Sequence, residues 1–118
     1  MVAERAQVRL TQGAERDLRG IYRRRLAQRG PGGDDGADAL LERLVSAIER
    51  LADHPAKGPV PPELEVLGIA EYRQFSLPPF RVIYHLAPSR QRAQVTVMIV
   101  ADSRRDFRQL LEERLLTR

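Results

Sequence analysis

Four arginines stand where neighbouring strands could bring guanidinium groups together. Arg73 lies in EYRQF, Arg81 in FRVIY, and the pair Arg104-Arg105 follows the last apolar run. Guanidinium groups that converge on one end of a sheet can bind a phosphate and stabilise charge that develops on it. A solvated face with local ion pairs, for instance to Asp102, is the alternative. Arg81 is the strongest candidate, because a strand that is apolar on both sides does not place a charge without cost.

His85 is the group nearest these arginines that could move a proton. The position of His85 within a predicted strand has two interpretations. It is a proton donor or acceptor on an open sheet face, or it is a structural residue of the strand. His54, at a predicted helix end before Pro55, favours a structural or solvent-exposed role. The sequence has no cysteine nucleophile, HExxH, P-loop or GxSxG motif.

The charge of the chain indicates what it could bind. The formal net charge is +4, and Lys57 is the only lysine among the basic residues. A high-GC genome, which favours arginine codons, would explain the choice of arginine over lysine. The guanidinium group suits carboxylate and phosphate alike, so the partner is an acidic protein or a nucleic acid. The basic first helix could be a nucleic-acid surface or a solvated face. Its one aromatic residue, Tyr22, belongs to the apolar stripe of the helix, so the series of aromatic residues that single-strand stacking requires is absent.

Length and composition indicate the class of protein. The 118 residues fit one domain spanning residues 1–118, with no need for a metal or cofactor to hold it. The absence of cysteine excludes a disulfide framework and thiolate zinc sites. The first residues lack the apolar run of a signal peptide, and no apolar stretch approaches a membrane span. We expect a soluble cytoplasmic protein.

Periodicity and stop signals predict an α+β fold in the order βααβββα. Proline and glycine mark the breaks, and Thr11 and Ser103 are placed to cap the first and last helices. A glycine-rich turn at residues 30–36 joins two helices, and residues 63–67 form a short turn ending at Gly68. The predicted strands are residues 6–11, 71–77, 80–87 and 93–101, and the predicted helices are residues 12–28, residues 37–52 and a last helix from Ser103.

One antiparallel sheet with the helix hairpin on one face satisfies this order. The central strand directs Phe80, Val82, Tyr84 and Leu86 to the hairpin, and Arg81, Ile83 and His85 to the opposite face. We expect function on that opposite face, which the C-terminal helix or a partner must partly shield.

The same landmarks, in this order, resemble the RelE/ParE toxin family over nearly the whole chain. They are VRLTQGAERDL, IERLADHPAKG, PPELEVLGIAEYRQF, PFRVIYHL and VADSRRDFRQLLEERLL. The resemblance implies a toxin of a type II toxin–antitoxin or plasmid stabilisation system, with a cognate antitoxin that covers its apolar and basic surfaces. RelE-like members cleave messenger RNA in the ribosome, whereas ParE-like members poison DNA gyrase and inhibit growth.

The resemblance also implies site residues, and here the chain departs from the nuclease pattern. Arg81 matches the arginine of the family's central strand, and Arg73 and Arg104 match basic positions before and after it. Nuclease members carry a tyrosine in the final segment, where this chain has Leu110. Without it, proton transfer would fall to His85. The sequence therefore favours a ParE-like gyrase poison, with a ribosome-dependent endoribonuclease as the alternative and enzymatic activity left open.

Overall fold

Alternating apolar residues form a four-stranded sheet, and residues at helical spacing form helices on both of its faces. A computed structural model describes residues 5–28 and 36–116. The 3-10 turn Arg50–Ala52 follows the second helix directly. The strands are β1 (Gln7–Leu10), β2 (Tyr72–Leu77), β3 (Phe80–Ala87) and β4 (Gln94–Asp102), and the helices are α1 (Gln12–Ala27), α2 (Ala37–Glu49), α3 (Pro62–Glu65) and α4 (Phe107–Leu116). The α+β fold is confirmed, with the short α3 added before β2.

The sheet is mixed. Its strand order is β1-β4-β3-β2, with β3 antiparallel to both β2 and β4. β1 runs parallel to β4, so the expectation of a wholly antiparallel sheet is wrong at this pairing. The helix hairpin and two further strands separate β1 from β4, so no tight turn sets their relative direction.

Two apolar layers enclose the sheet. The larger lies under the helix hairpin, where Leu18 of α1 and Leu44 of α2 pack with Val82 and Tyr84. The smaller lies on the opposite face, where Ile83 packs with residues of α3 and α4. The predicted division of β3 between two faces is therefore correct, and α4 supplies the cover expected over the second face.

A bulge in β4 interrupts the regular alternation. Ile83 pairs with Ile99 and Tyr84 pairs with Val97, which leaves Met98 as an extra residue. A bulge frees backbone groups from the strand ladder and bends the strand. Here the freed carbonyl of Met98 accepts a 2.7 Å hydrogen bond from Arg114 of α4.

The caps of the helices only partly follow the sequence prediction. Thr11 caps α1, and its hydroxyl accepts a 3.0 Å hydrogen bond from the Ala14 amide. Ser103 does not cap α4, because that helix begins only at Phe107. Asp106 has the capping role instead, accepting from the Gln109 amide at 3.2 Å.

The glycine-rich turn predicted at residues 30–36 lies outside the described residues except for Gly36. That residue has a φ of 72° and precedes α2. Among the described helices, none has the length and apolar character needed to cross a membrane.

Candidate functional site

Arg81 of β3 lies at the centre of a cluster whose other members come from α3, β2 and α4, on the α4 face of the sheet. Its Nη1 and Nη2 atoms donate to the two carboxylate oxygens of Glu63 at 2.8 and 2.6 Å. Its Nε atom donates to the side chain of Gln74 at 2.6 Å, and its guanidinium carbon lies 4.3 Å from the centre of the Phe107 ring. All three donor nitrogens of Arg81 therefore have partners within the chain.

The ion pair between Arg81 and Glu63 is shielded from water. Only 13 % of the Arg81 side chain and 29 % of the Glu63 side chain are exposed. The hydrogen bond from Arg81 lowers the pKa of Glu63 below its ordinary value, and this outweighs the opposing effect of burial. The paired oxygens match the planar fork of the guanidinium group, so Glu63 occupies the position that a bound phosphate would take.

Arg73 does not converge with Arg81. In the β2–β3 pairing Arg73 lies opposite Tyr84, on the hairpin face, whereas Arg81 lies on the α4 face. The expected cluster of both arginines at one end of one face is therefore wrong. The sequence held a signal for this, because a two-residue turn at Pro78-Pro79 fixes the register and places Arg73 beside a hairpin-facing tyrosine.

The surroundings of Arg73 are those of a residue enclosed by a loop. Its Nη1 atom donates to the Gly58 carbonyl at 3.3 Å, and its buried Nε atom has no hydrogen-bond partner among the described residues. The fully buried Tyr84 donates its hydroxyl to the Pro55 carbonyl at 2.7 Å. Burial raises the pKa of Tyr84, while the charge of Arg73 acts in the opposite direction. Both side chains thus hold the loop after α2 against the sheet.

His85 shares the α4 face with Arg81 but not its cluster. Its ring packs edge to face on the ring of Tyr72, with 5.0 Å between the centroids. Four residues along a strand separate Arg81 from His85, a spacing of about 13 Å. This backbone separation is several times the hydrogen-bond distance over which a proton donor acts.

Arg104 and Arg105 lie just beyond β4 with exposed side chains. Arg104 donates to both carboxylate oxygens of Asp102, at 2.9 Å each, although 87 % of its side chain is exposed. These bonds lower the pKa of Asp102 to about 2. The ion pair with Asp102, which was the alternative interpretation for this segment, is therefore present for Arg104.

The sequence analysis did not predict the acceptors that bind Arg81 and Arg114 in the structure. Glu63 and Gln74 satisfy Arg81, and Asp17 pairs with Arg114 at 2.6 Å. Glu63 sits in a short PELE helix whose N1 proline signals a helix start, but nothing in the local pattern indicates its partner. Within the described residues, no three His, Asp or Glu side chains lie close enough together to hold a metal ion.

A family model described as the ParE toxin of type II toxin-antitoxin system, parDE, matches residues 8–107. The chain belongs to the ParE toxin family. The ParE-family assignment confirms the resemblance seen in the sequence and makes the chain a toxin of a type II toxin–antitoxin system. Among curated proteins, none is similar enough in sequence to serve as a relative.

Solved structures share the fold of this ParE-family chain. One is the chromosomal ParDE toxin–antitoxin system from P. aeruginosa, with a TM-score of 0.55 and 19% identity, covering 78% of this chain and 92% of that chain. Another is the toxin–antitoxin complex RelBE2 from Mycobacterium tuberculosis, with a TM-score of 0.55 and 20% identity, covering 83% of this chain and 98% of that chain. At these identities the likeness shows the common fold.

Proposed function

We propose that this ParE-family toxin inhibits growth by poisoning DNA gyrase and that a cognate antitoxin protein neutralises it. The observation that carries the proposal is the closed coordination of Arg81 by Glu63 and Gln74. A phosphodiester would have to displace a bidentate carboxylate to reach the guanidinium group. A nuclease built on Arg81 would therefore begin from an occupied site.

The distance of His85 and Arg73 from Arg81 also favours a protein-binding toxin over a nuclease. General acid–base cleavage requires a proton donor and acceptor within hydrogen-bond reach of the reacting group. His85 packs on Tyr72, and Arg73 lies on the opposite face of the sheet. Glu63, the carboxylate beside Arg81, is itself bound through both oxygens by the guanidinium group. A toxin that acts by binding a protein target needs no such donor and acceptor.

For contact with the target we propose Arg104 and Arg105. Both side chains are exposed and extend from the segment that joins β4 to α4. The two structural neighbours named above come from toxin–antitoxin systems, which supports an antitoxin as the partner of this chain as well.

A supercoiling assay with purified gyrase tests the proposed target. We expect micromolar toxin to block supercoiling and to accumulate cleaved DNA. The double variant R104A/R105A should weaken inhibition, whereas R16A/R90A, which removes two exposed arginines elsewhere, should inhibit like the wild type. Full supercoiling in the presence of wild-type toxin would remove gyrase as the target.

Primer extension on ribosome-bound message, run beside the gyrase assay, tests the alternative activity. New 5′ ends that depend on the toxin, with gyrase unaffected, would make the chain an endoribonuclease. Induced expression without an antitoxin tests toxicity itself. Unchanged growth on induction would contradict a growth-inhibiting toxin of either kind.

A further inference from the structure

An apolar groove lies between α3 and α4, on the face of the sheet that also holds Arg81. It has a volume of about 520 Å³. Leu111 and Leu115 line it from α4, and Val66 and Leu67 line it from the end of α3 and the turn that follows. We name it the α3–α4 groove. The gyrase contact proposed at Arg104 and Arg105 makes no use of it.

The apolar surface of this groove continues onto two side chains that the chain itself leaves uncovered. Val66 is 82 % exposed and Leu67 is 69 % exposed. Among the described residues they are the most exposed of the large apolar side chains. A contiguous apolar surface of this kind is typical of a place where another protein surface packs.

The charged residues of the groove, Arg108 and Glu112, identify the protein surface that fits. Both lie on the groove side of α4, one helical turn apart, with exposed side chains. Within residues 5–28 and 36–116, neither side chain makes a hydrogen bond or an ion pair. The groove therefore offers one cation and one anion, both without a partner in the described part of the chain.

Their order along α4 does not stabilise the helix itself. Arg108 lies in the first turn, where the helix dipole favours acidic side chains. An ion pair within a helix is also weaker when the cation precedes the anion by four residues than in the reverse order. A second α4 that runs antiparallel to the first presents the opposite order, so it supplies a carboxylate opposite Arg108 and a guanidinium group opposite Glu112.

We propose that the α3–α4 groove packs against the same groove of a second copy of this chain, which makes the free toxin a two-fold symmetric dimer. A two-fold axis near Leu111 places Arg108 of each copy opposite Glu112 of the other, as a self-complementary interface requires. The uncovered Val66 and Leu67 become buried between the copies. This pairing does not depend on gyrase being the target.

Sedimentation of the full-length toxin, free of antitoxin, tests the dimer. The groove is small, so we expect a weak interface that forms between micromolar and millimolar concentration. The sedimenting mass should rise from one chain to two across that range. A wild-type chain that stays monomeric throughout would overturn the proposal.

Exchange of the two charges tests the arrangement of the interface. R108E or E112R alone puts like charges opposite each other at both symmetry-related positions and should weaken dimerisation at least about tenfold. The double variant R108E/E112R restores opposite charges and should dimerise within about threefold of the wild type. A double variant no better than the single ones would overturn the two-fold pairing.

R16E and E49R make the same charge changes at exposed positions on α1 and α2 and should dimerise within about twofold of the wild type. Weakening by R16E equal to that by R108E would show a response to net charge alone and overturn the proposal. Thermal melting of each variant checks folding. R108Q and E112Q, which introduce no new charge, replace the single variants where the melt is lost.

The apolar part of the interface has its own test. Leu67→Ser removes an exposed apolar side chain from the groove and should weaken dimerisation at least about tenfold, with little effect on the melting temperature. Val45→Ser makes a comparable change on α2, where 38% of the valine is exposed, and should leave dimerisation within about twofold of the wild type. Equal dimerisation of these two variants would place the interface elsewhere.

Chemical shift mapping locates the interface without any substitution. Dilution of isotope-labelled wild-type protein should move the backbone amide signals of residues 64–69 and 108–115. Shifts centred on another surface would overturn the proposal. So would a monomeric chain in which these signals move only when a helical peptide with leucine on one face is added, because the groove would then belong to a different protein.

Discussion

Arg114 of α4 donates a 2.6 Å hydrogen bond to Asp17 of α1, although the two residues are 97 positions apart in the chain. Asp17 also accepts a 2.9 Å hydrogen bond from the amide of Val100, and Arg114 donates to the carbonyl of Met98. The Met98 carbonyl belongs to the extra residue of the β4 bulge, and the Val100 amide lies two residues further along the same strand. One ion pair therefore joins the first helix, the last helix and the irregular point of the central sheet.

Asp17→Ala should destabilise the protein by about 3 kcal/mol, because it leaves the Val100 amide and a shielded guanidinium group without their acceptor. Asp17→Asn retains an acceptor for the amide but not the charge, so its loss should be smaller. Urea denaturation measures both changes. An Asp17→Ala variant as stable as Glu49→Ala, which removes an exposed carboxylate, would contradict this role.

The sequence predicts those parts of the fold that depend on local pattern. Alternation along β3 separates Val82 and Tyr84 from Ile83, and Thr11 caps α1 as its position indicates. The parallel pairing of β1 with β4 and the bulge at Met98 depend on groups far apart in the chain. No local sequence pattern predicts this pairing or this bulge.

The candidate site is less predictable, because a charged side chain acquires its role from its partners. The sequence marks Arg81 as unusual, and the structure shows why it is tolerated in an apolar strand: Glu63 arrives from 18 positions earlier. The arginines at these sequence positions are compatible both with a phosphate-binding site and with a set of ion pairs. Only the three-dimensional positions of Glu63, Gln74 and Asp102 separate these interpretations.

Gly58 lies where the loop after α2 touches the edge strand β2. A Cβ atom at this position would lie 1.9 Å from the Gln74 carbonyl oxygen, so Gly58→Ala must push the loop away. The shift breaks the hydrogen bond from the Gln74 amide to the Pro59 carbonyl. We expect a loss of about 3 kcal/mol in the free energy of unfolding.

Gly68 is the comparison for Gly58. Its φ of 76° strains any side chain, but a Cβ atom there meets nothing within 4 Å. Gly68→Ala should therefore cost about 1 kcal/mol, less than Gly58→Ala, in the same denaturation experiment. The reverse order would contradict close packing of the loop on β2.

Leu44 and Val45 are neighbours on α2 with opposite surroundings. Leu44 is fully buried between the hairpin and the sheet, whereas 38% of Val45 is exposed. Leu44→Ala should destabilise the protein by about 2–5 kcal/mol through lost burial and the cavity it leaves. Ile48→Ala, one turn later, should fall in the same range, while Val45→Ala should cost less than about 1 kcal/mol. Equal losses at Leu44 and Val45 would mean that α2 packs through another face.

The ion pair of Glu63 with Arg81 predicts how stability depends on pH. The folded pKa of Glu63 lies below its ordinary value of 4.5, because Arg81 stabilises the ionised form. The stabilisation is therefore fully present above pH 4.5 and is lost as the pH falls through the folded pKa. Wild-type protein should exceed Glu63→Gln in stability by about 2 kcal/mol at neutral pH, and the difference should shrink below pH 4.5.

Glu65→Gln is the control for this pH series, because Glu65 lies on the same short helix with an exposed side chain. Its stability should follow that of the wild type at every pH. Carboxyl NMR is the second measurement. The pKa of the Glu63 carboxyl should lie below 4.5 in the wild type and should rise toward 4.5 in Arg81→Gln. Titration of Glu63 at or above 4.5 in the wild type would mean that Arg81 is free, and the coordination that argues against a nuclease would then be absent.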